Sequence, residues 1–322
     1  MGYNIDNFRK IREEYKEKYK KAEAEADARR RELWACVEGL RDLDRALSMT
    51  ATRLLNAVSG KSNESFEKVK ADAERLNHER DVLLAAYGYP ADYSDPRYEC
   101  DICRDTGYAS KEICECMKRR LRLAGYESSG IARLMGEQRF DNFRLDYYKA
   151  NARSYENMTY VFRAILDYAN TFETEKAQNL LLLGGTGLGK THLSTALANT
   201  LIDRGFDVIY TGAIGMIADF EKHRFGNSAG SESGINLDRY YDCDLLIIDD
   251  LGSEVSNQFT VSTIYNVLNN RISLGLPTVV STNLNQKELN DRYWDRITSR
   301  ILGEFRPLVF SGSDVRKLKL SE

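Results

Sequence analysis

Gly184-Gly185-Thr186-Gly187-Leu188-Gly189-Lys190-Thr191 fits the spacing G-x-x-x-x-G-K-[ST]. Each residue type in it serves phosphate chemistry. The glycines allow tight backbone turns, so that successive N–H groups face one anion. Lys190 supplies a cation for terminal phosphates, and Thr191 a hydroxyl for Mg²⁺. The apolar run Leu180–Leu183 precedes the loop and a helical stretch carrying His192 follows it. That helix would add the positive end of its dipole. Strand, glycine loop and helix in this order read as a nucleoside triphosphate site, with Gly184 to His192 as its binding residues.

A second run, Leu245-Leu246-Ile247-Ile248, ends in Asp249-Asp250. Carboxylates at the carboxyl end of a buried strand sit where open α/β sheets bind ligands. Asp249 is the candidate Mg²⁺ ligand, through water, and Asp250 the candidate to orient an attacking water. Many proteins with this arrangement carry Glu at the second position, so slow turnover, or a share for Glu254, is an open alternative. The strand over Thr278–Ser281 runs on into Thr282 and Asn283, and the Asn283 amide is placed to sense a terminal phosphate or the water. Arg296 and Arg300 share a helix face. An arginine there either reaches a neighbouring subunit's site or is a solvated surface residue.

Cys100-x₂-Cys103, then Cys114-x-Cys116, offers four thiolates within a short span. Four thiolates close a tetrahedral Zn²⁺ site, and an Fe–S cluster is the alternative. Asp105-Thr106-Gly107 supplies the turn between the pairs. Cys36 and Cys243 stand alone and read as buried residues. His78, His192 and His223 are scattered and form no cluster.

The elements that must position these groups follow from pattern. The 322-residue chain, with a formal net charge of −3, has the composition of a globular protein. No run approaches the roughly 18 apolar residues of a membrane helix, and the N-terminus lacks the apolar core of a secretion signal, so a cytoplasmic location is expected. Residues 4 to about 88 read as helix. Leu33, Val37, Leu40, Leu43 and Leu47 line one face, GKSN at 60–63 breaks the run, and Phe66, Val69, Ala73, Leu76 and Leu83 line a second helix. An antiparallel coiled-coil hairpin is the result, either a partner-binding region or a spacer. Tyr87 to Pro96 is a boundary. A basic connector with Lys118, Arg119, Arg120, Arg122 and Arg133 follows the cysteines, in which Arg119, Arg120 and Arg122 are candidate DNA-phosphate contacts or a solvated helix face. From about Gln178, runs at Leu180–Leu183, Val208–Thr211, Leu245–Ile248, Thr278–Ser281 and Leu308–Phe310 alternate with helices, which implies a parallel sheet. GNSAGSESG at 226–234 reads as a surface loop. The expected segments are a helical partner-binding region at 1–96, a four-cysteine zinc module and connector at 97–122, a helical linker at 123–177 and the ATPase domain at 178–322.

With these residues in place, the chain resembles the DnaC/DnaI-type bacterial helicase loaders and the IstB-type transposition ATPases, which are AAA+ proteins. The resemblance rests on CDICRDTGY at 100–108, CECMKRRL at 114–121, RFDNFRLDYY at 139–148, LLLLGGTGLGKTHL at 180–193, LLIIDDLGSE at 245–254, VVSTNL at 279–284 and RITSRI at 296–301. It implies an α/β fold, an AAA+ P-loop parallel sheet covered by helices and preceded by the helical hairpin and zinc module. It assigns Asn283 to sensor 1, Arg300 to the arginine finger and Arg316 to sensor 2. Six residues follow Arg316, so neither a large helical lid nor the duplex-reading domain of an initiator is expected. The implied cofactors are ATP or ADP, Mg²⁺ and Zn²⁺. The implied partners are a hexameric replicative helicase, single-stranded DNA and further copies of the chain. A transposition helper, and a nucleotide-gated scaffold with little turnover, are the rival expectations.

Overall fold

In the computed structural model the residues described are 3–59, 64–131, 137–226 and 236–319. The chain divides into two compact units, Ile11–Met117 and, as the other, Met1–Lys10 with Lys118–Glu322. Among the described residues, no helix is long and apolar enough to cross a membrane.

The stretch dense in Glu, Lys, Arg and Ala forms α1 (Ile5–Cys36). The sequence pattern carries this helix on to Leu47, but it stops before Gly39, whose φ of 81° is left-handed. Glycine adopts that conformation without a Cβ clash. The turn lets Leu33, Val37 and Leu40 gather on Leu84 in one small core, rather than extend as a stripe along a single rod. α2 (Leu40–Val58) and α3 (Phe66–Ala86) then pair. Arg53 ties them by donating to Glu64 at 2.8 Å and to Asp72 at 3.0 Å. The hairpin is therefore α2 with α3, with α1 a separate helix; GKSN at 60–63 lies outside the described residues. Two short antiparallel strands, β1 (Tyr108–Ala109) and β2 (Glu112–Ile113), follow, and α4 (Glu115–Ser129) begins in this unit.

The second unit continues α4 from Lys118, then a 3-10 turn at Leu145–Tyr148 and α5 (Ala152–Thr171). Arg133 of the connector lies outside the described residues. Strand and helix then alternate: β3 (Asn179–Leu183), α6 (Lys190–Asp203), β4 (Val208–Gly212), α7 (Ala213–Gly226), α8 (Arg239–Asp242), β5 (Leu245–Leu251), α9 (Gln258–Leu274), β6 (Thr278–Thr282), α10 (Gln286–Glu304), β7 (Phe305–Val309) and α11 (Val315–Lys319). The expected loop at 226–234 lies outside the described residues from 227 on.

The five strands from β3 to β7 are parallel, in the order β4-β5-β6-β3-β7. Leu180 and Leu182 face one apolar layer with Leu193, Leu197 and Ile165, while Leu181 faces the other with Ile248, Ile264 and Val267. Such alternation is what a sheet covered on both faces requires. The last strand starts earlier than the apolar run Leu308–Phe310 and contains Pro307. As an edge strand paired only with β3, it tolerates a residue without an N–H. Arg271 is fully buried and anchors the turn into β6, donating to Thr278 Oγ1 at 3.0 Å and to the Pro277 carbonyl at 2.7 Å.

Candidate nucleotide site and cysteine cluster

The order of strands decides the site. β6 lies between β3 and β5, so the residues that follow all three strands meet at one edge. Lys190, in the first turn of α6, donates to the carbonyls of Gly184 at 2.6 Å and Gly185 at 2.8 Å, and to Asn283 Oδ1 at 2.5 Å. Burial lowers the Lys190 ammonium below the usual lysine range, and the charges of Asp249 and Asp250 oppose that shift. The loop itself is pinned from outside. Val315 donates its backbone N–H to the Gly187 carbonyl at 3.0 Å. Gly187 has a left-handed φ of 76°, which favours glycine, and a Cβ there would have to push the Asp314 carboxylate aside.

Asp249 and Asp250 stand at an irregularity in β5, where the register with β6 shifts between Ile248 and Leu251. Bulges of this kind re-aim side chains beside functional sites. Asp249 accepts from Thr191 Oγ1 at 3.0 Å, Tyr210 OH at 2.9 Å and Ser281 Oγ at 2.5 Å. Asp250 accepts from Asn283 Nδ2 at 2.7 Å and has a left-handed φ of 56°.

Asp249, Asp250, Ser281 and Asn283 line a cavity of 440 Å³ together with Thr186 to His192, Arg316, and a wall from Gln138, Asn142, Phe143, Arg144, Tyr147 and Tyr148. Tyr148 donates to the Leu188 carbonyl at 2.9 Å, and burial pushes its phenol up to about 12. The His192 ring meets Phe143 edge-on at 5.2 Å. The wall comes from the stretch RFDNFRLDYY and its neighbour Gln138, to which the sequence pattern assigns no role. Tyr210 and Ser281 escape sequence reasoning as well, because an aromatic and a small polar residue in strands read as core.

Not every candidate joins the cavity. Glu254 is buried, accepts from the Gly252 N–H at 2.9 Å, and is bonded to Arg292 and Tyr293. Those bonds hold it in the packing beneath α10, and it is not among the cavity's lining residues. Arg300 is not among the cavity's lining residues; it donates to Asn269 Oδ1 at 2.9 Å and stacks on the Tyr265 ring at 4.8 Å. The Arg296 side chain lies outside the described residues.

In the other unit, the ligand atoms of Cys100, Cys103, Cys114 and Cys116 all lie within 4.8 Å of one another. A tetrahedral ion with Zn–S bonds of about 2.3 Å needs sulfurs about 3.8 Å apart. The pairs Cys100–Cys114 at 3.9 Å and Cys103–Cys116 at 3.5 Å fit that size. A cluster of several irons would spread its thiolates further. The Asp105 carboxylate shapes the first knuckle by accepting the N–H groups of Glu99 at 2.8 Å and Cys100 at 3.0 Å. Four thiolates of this geometry are consistent with zinc.

The fold and the edge constellation define a P-loop nucleotide-binding protein of the AAA+ type. The model of the family described as IstB-like ATP binding protein matches residues 143–304, half of the chain, and the chain belongs to that family. It is similar to the replicative helicase loader DnaC of Escherichia coli (strain K12), with 27% identity over 192 residues, 59% of this chain and 74% of that protein. It is also similar to the phage-like element PBSX protein XkdC of Bacillus subtilis (strain 168), with 30% identity over 227 residues, 66% of this chain and 80% of the relative. The crystal structure of the DnaC helicase loader aligns with 20% identity and a TM-score of 0.46, covering 55% of this chain and 98% of that one.

Proposed function

We propose that this chain is an ATP-dependent loader that delivers a hexameric replicative helicase onto single-stranded DNA. The reading is carried by its similarity to the loader DnaC over 192 residues, beside the cavity lined by Lys190, Thr191, Asp249, Asp250 and Asn283. In this reading ATP hydrolysis to ADP and phosphate resets the grip on helicase and DNA. Lys190 neutralises the terminal phosphates, Thr191 and Asp249 hold Mg²⁺, and Asp250 takes the proton of the attacking water with Asn283 orienting it. Bound Mg²⁺ would supply charge stabilisation at the phosphoryl oxygens. Arg316, which lines the cavity, serves its own subunit's site. Arg300 serves a neighbour's in an assembled oligomer. The four cysteines hold Zn²⁺, and the helical unit docks the helicase. The protein works in the cytoplasm.

The test uses the full chain with ATP and Mg²⁺, mixed with the host's hexameric replicative helicase on a sizing column. Co-elution that Lys190→Ala abolishes, with turnover altered by single-stranded DNA, is the expected result. Absence of any complex overturns the loader reading. A second reading follows from the resemblance to the IstB-type transposition ATPases, whose family model matches residues 143–304: a helper ATPase for a transposase. Co-elution with a transposase encoded beside it, and none with the helicase, would move the assignment there. A nucleotide-gated scaffold would form the complex with negligible turnover in every condition.

A further inference from the structure

Asp249 is held by more than the residues a nucleotide site needs. Tyr210 lies on β4, beside the strand that carries Asp249, with Gly212 the direct partner of Asp249 in the parallel register. From there its hydroxyl reaches Asp249 Oδ2 at 2.9 Å. The ring packs in the apolar layer with Leu180, Leu193 and Val208, where phenylalanine would fill the same space. A phenol is a protonated donor at neutral pH, as a carboxylate partner requires. Ser194 Oγ lies 3.2 Å from the same hydroxyl. On the other side, Ser281 Oγ donates to Asp249 Oδ1 at 2.5 Å and accepts the Asp250 N–H at 2.9 Å.

We infer that Tyr210, seconded by Ser281, is a positioning residue that fixes the Asp249 carboxylate for a divalent cation. The inference rests on reading this edge as a magnesium–nucleotide site. Thr191 also donates to Asp249, at 3.0 Å. Its oxygen is wanted by the cation, so it cannot be counted on to orient the carboxylate once the ion is present. Tyr210 and Ser281 grip one oxygen each, Oδ2 and Oδ1, and Tyr210 does so from outside the cavity lining. They set its plane without competing for the ion. Partners of this kind typically change metal affinity by about 10–100-fold when removed.

The experiment titrates Mg²⁺ into full-length chain holding a fluorescent ADP analogue, for the natural sequence, Tyr210→Phe, Ser281→Ala and Ser281→Thr. A parallel arm measures the same affinity in EDTA, and thermal melts check the fold. Expected is a rise of about tenfold or more in the Mg²⁺ concentration for half-maximal tightening in Tyr210→Phe and Ser281→Ala. The EDTA arm should stay unchanged, and Ser281→Thr should restore the response. An unchanged Mg²⁺ response overturns the inference, as does an equal loss in both arms, which would make Tyr210 a packing residue. If the natural chain shows no Mg²⁺-dependent binding at all, the reading of the site falls, and this inference with it.

Discussion

Asn283 donates its side-chain amide to the Asp250 carboxylate across 2.7 Å while accepting from the Lys190 ammonium at 2.5 Å. The orientation of the amide is fixed by chemistry, since only its oxygen can face an ammonium and only its nitrogen a carboxylate. One side chain thus bridges Lys190 and Asp250.

Asn283→Ala should therefore uncouple binding from turnover. Single-turnover hydrolysis is expected to fall about 100-fold, the scale of one lost donor in a preorganised site. Equilibrium nucleotide affinity, measured by fluorescence titration, should hold. Parallel losses in both quantities would show that Asn283 serves binding only.

Asp250 explains its own departure from the more common glutamate. Its φ of 56° is a conformation in which Asp and Asn are several-fold enriched among non-glycine residues. Asp250→Glu should lower stability by about 1 kcal/mol, read from urea midpoints, and should not raise turnover. A large gain in turnover at unchanged stability would refute this account.

The nucleotide loop is legible in the sequence because its residues are contiguous and its chemistry leaves few substitutes. Asp249 and Asp250 are legible as the polar end of an apolar run. Strand order is not: nothing local in Thr278–Ser281 says that this strand inserts between β3 and β5, which is what brings Asn283 to Lys190. Nor does sequence show that Glu254 is buried against Tyr293, which is a tertiary fact. The break at Gly39 is hidden because Leu33, Val37 and Leu40 keep helical spacing through it. A core that closes around Leu84 uses the same spacing for a turn.

The cysteine cluster should hold one zinc per chain by elemental analysis, without the visible absorption of an iron–sulfur centre. Chelation, or Cys103→Ser, should melt the knuckle first, because a module this small depends on its metal. Hydrogen exchange would register this as lost protection around residues 100–116. Full protection after metal removal would make the cluster a set of thiols without a structural role.

Asp207 sets a pH dependence of opposite sign to the usual carboxylate. Burial raises its pKa to about 6; the Asn4 hydrogen bond and Arg271 oppose the rise, and Asp244 and Asp6 add to it. An unfolded Asp titrates near 3.9, so between about pH 4 and 6 the native state binds more protons and stability falls as pH rises. Asp207→Asn keeps an acceptor for Asn4 and removes the charge. It should stabilise the protein by roughly 2 kcal/mol at pH 7.5, a gain that vanishes near pH 4. A difference in urea midpoint that does not change with pH would contradict it.

The bond from Asn4 to Asp207, 2.9 Å long, joins residues 203 positions apart. Asn7 likewise donates to the Ala124 carbonyl at 3.1 Å and to Ser128 Oγ at 2.9 Å. On a ribosome making about 5–20 residues per second, Asn4 waits on the order of ten seconds or more for its partner to be made. The unit Ile11–Met117 is complete long before then and can fold first. The beginning of α1 is thus among the first segments synthesised and among the last to find its place. A nascent chain stalled short of Asp207 would carry a finished helical unit with a loose start, and the ATPase unit would close only when that early segment is captured.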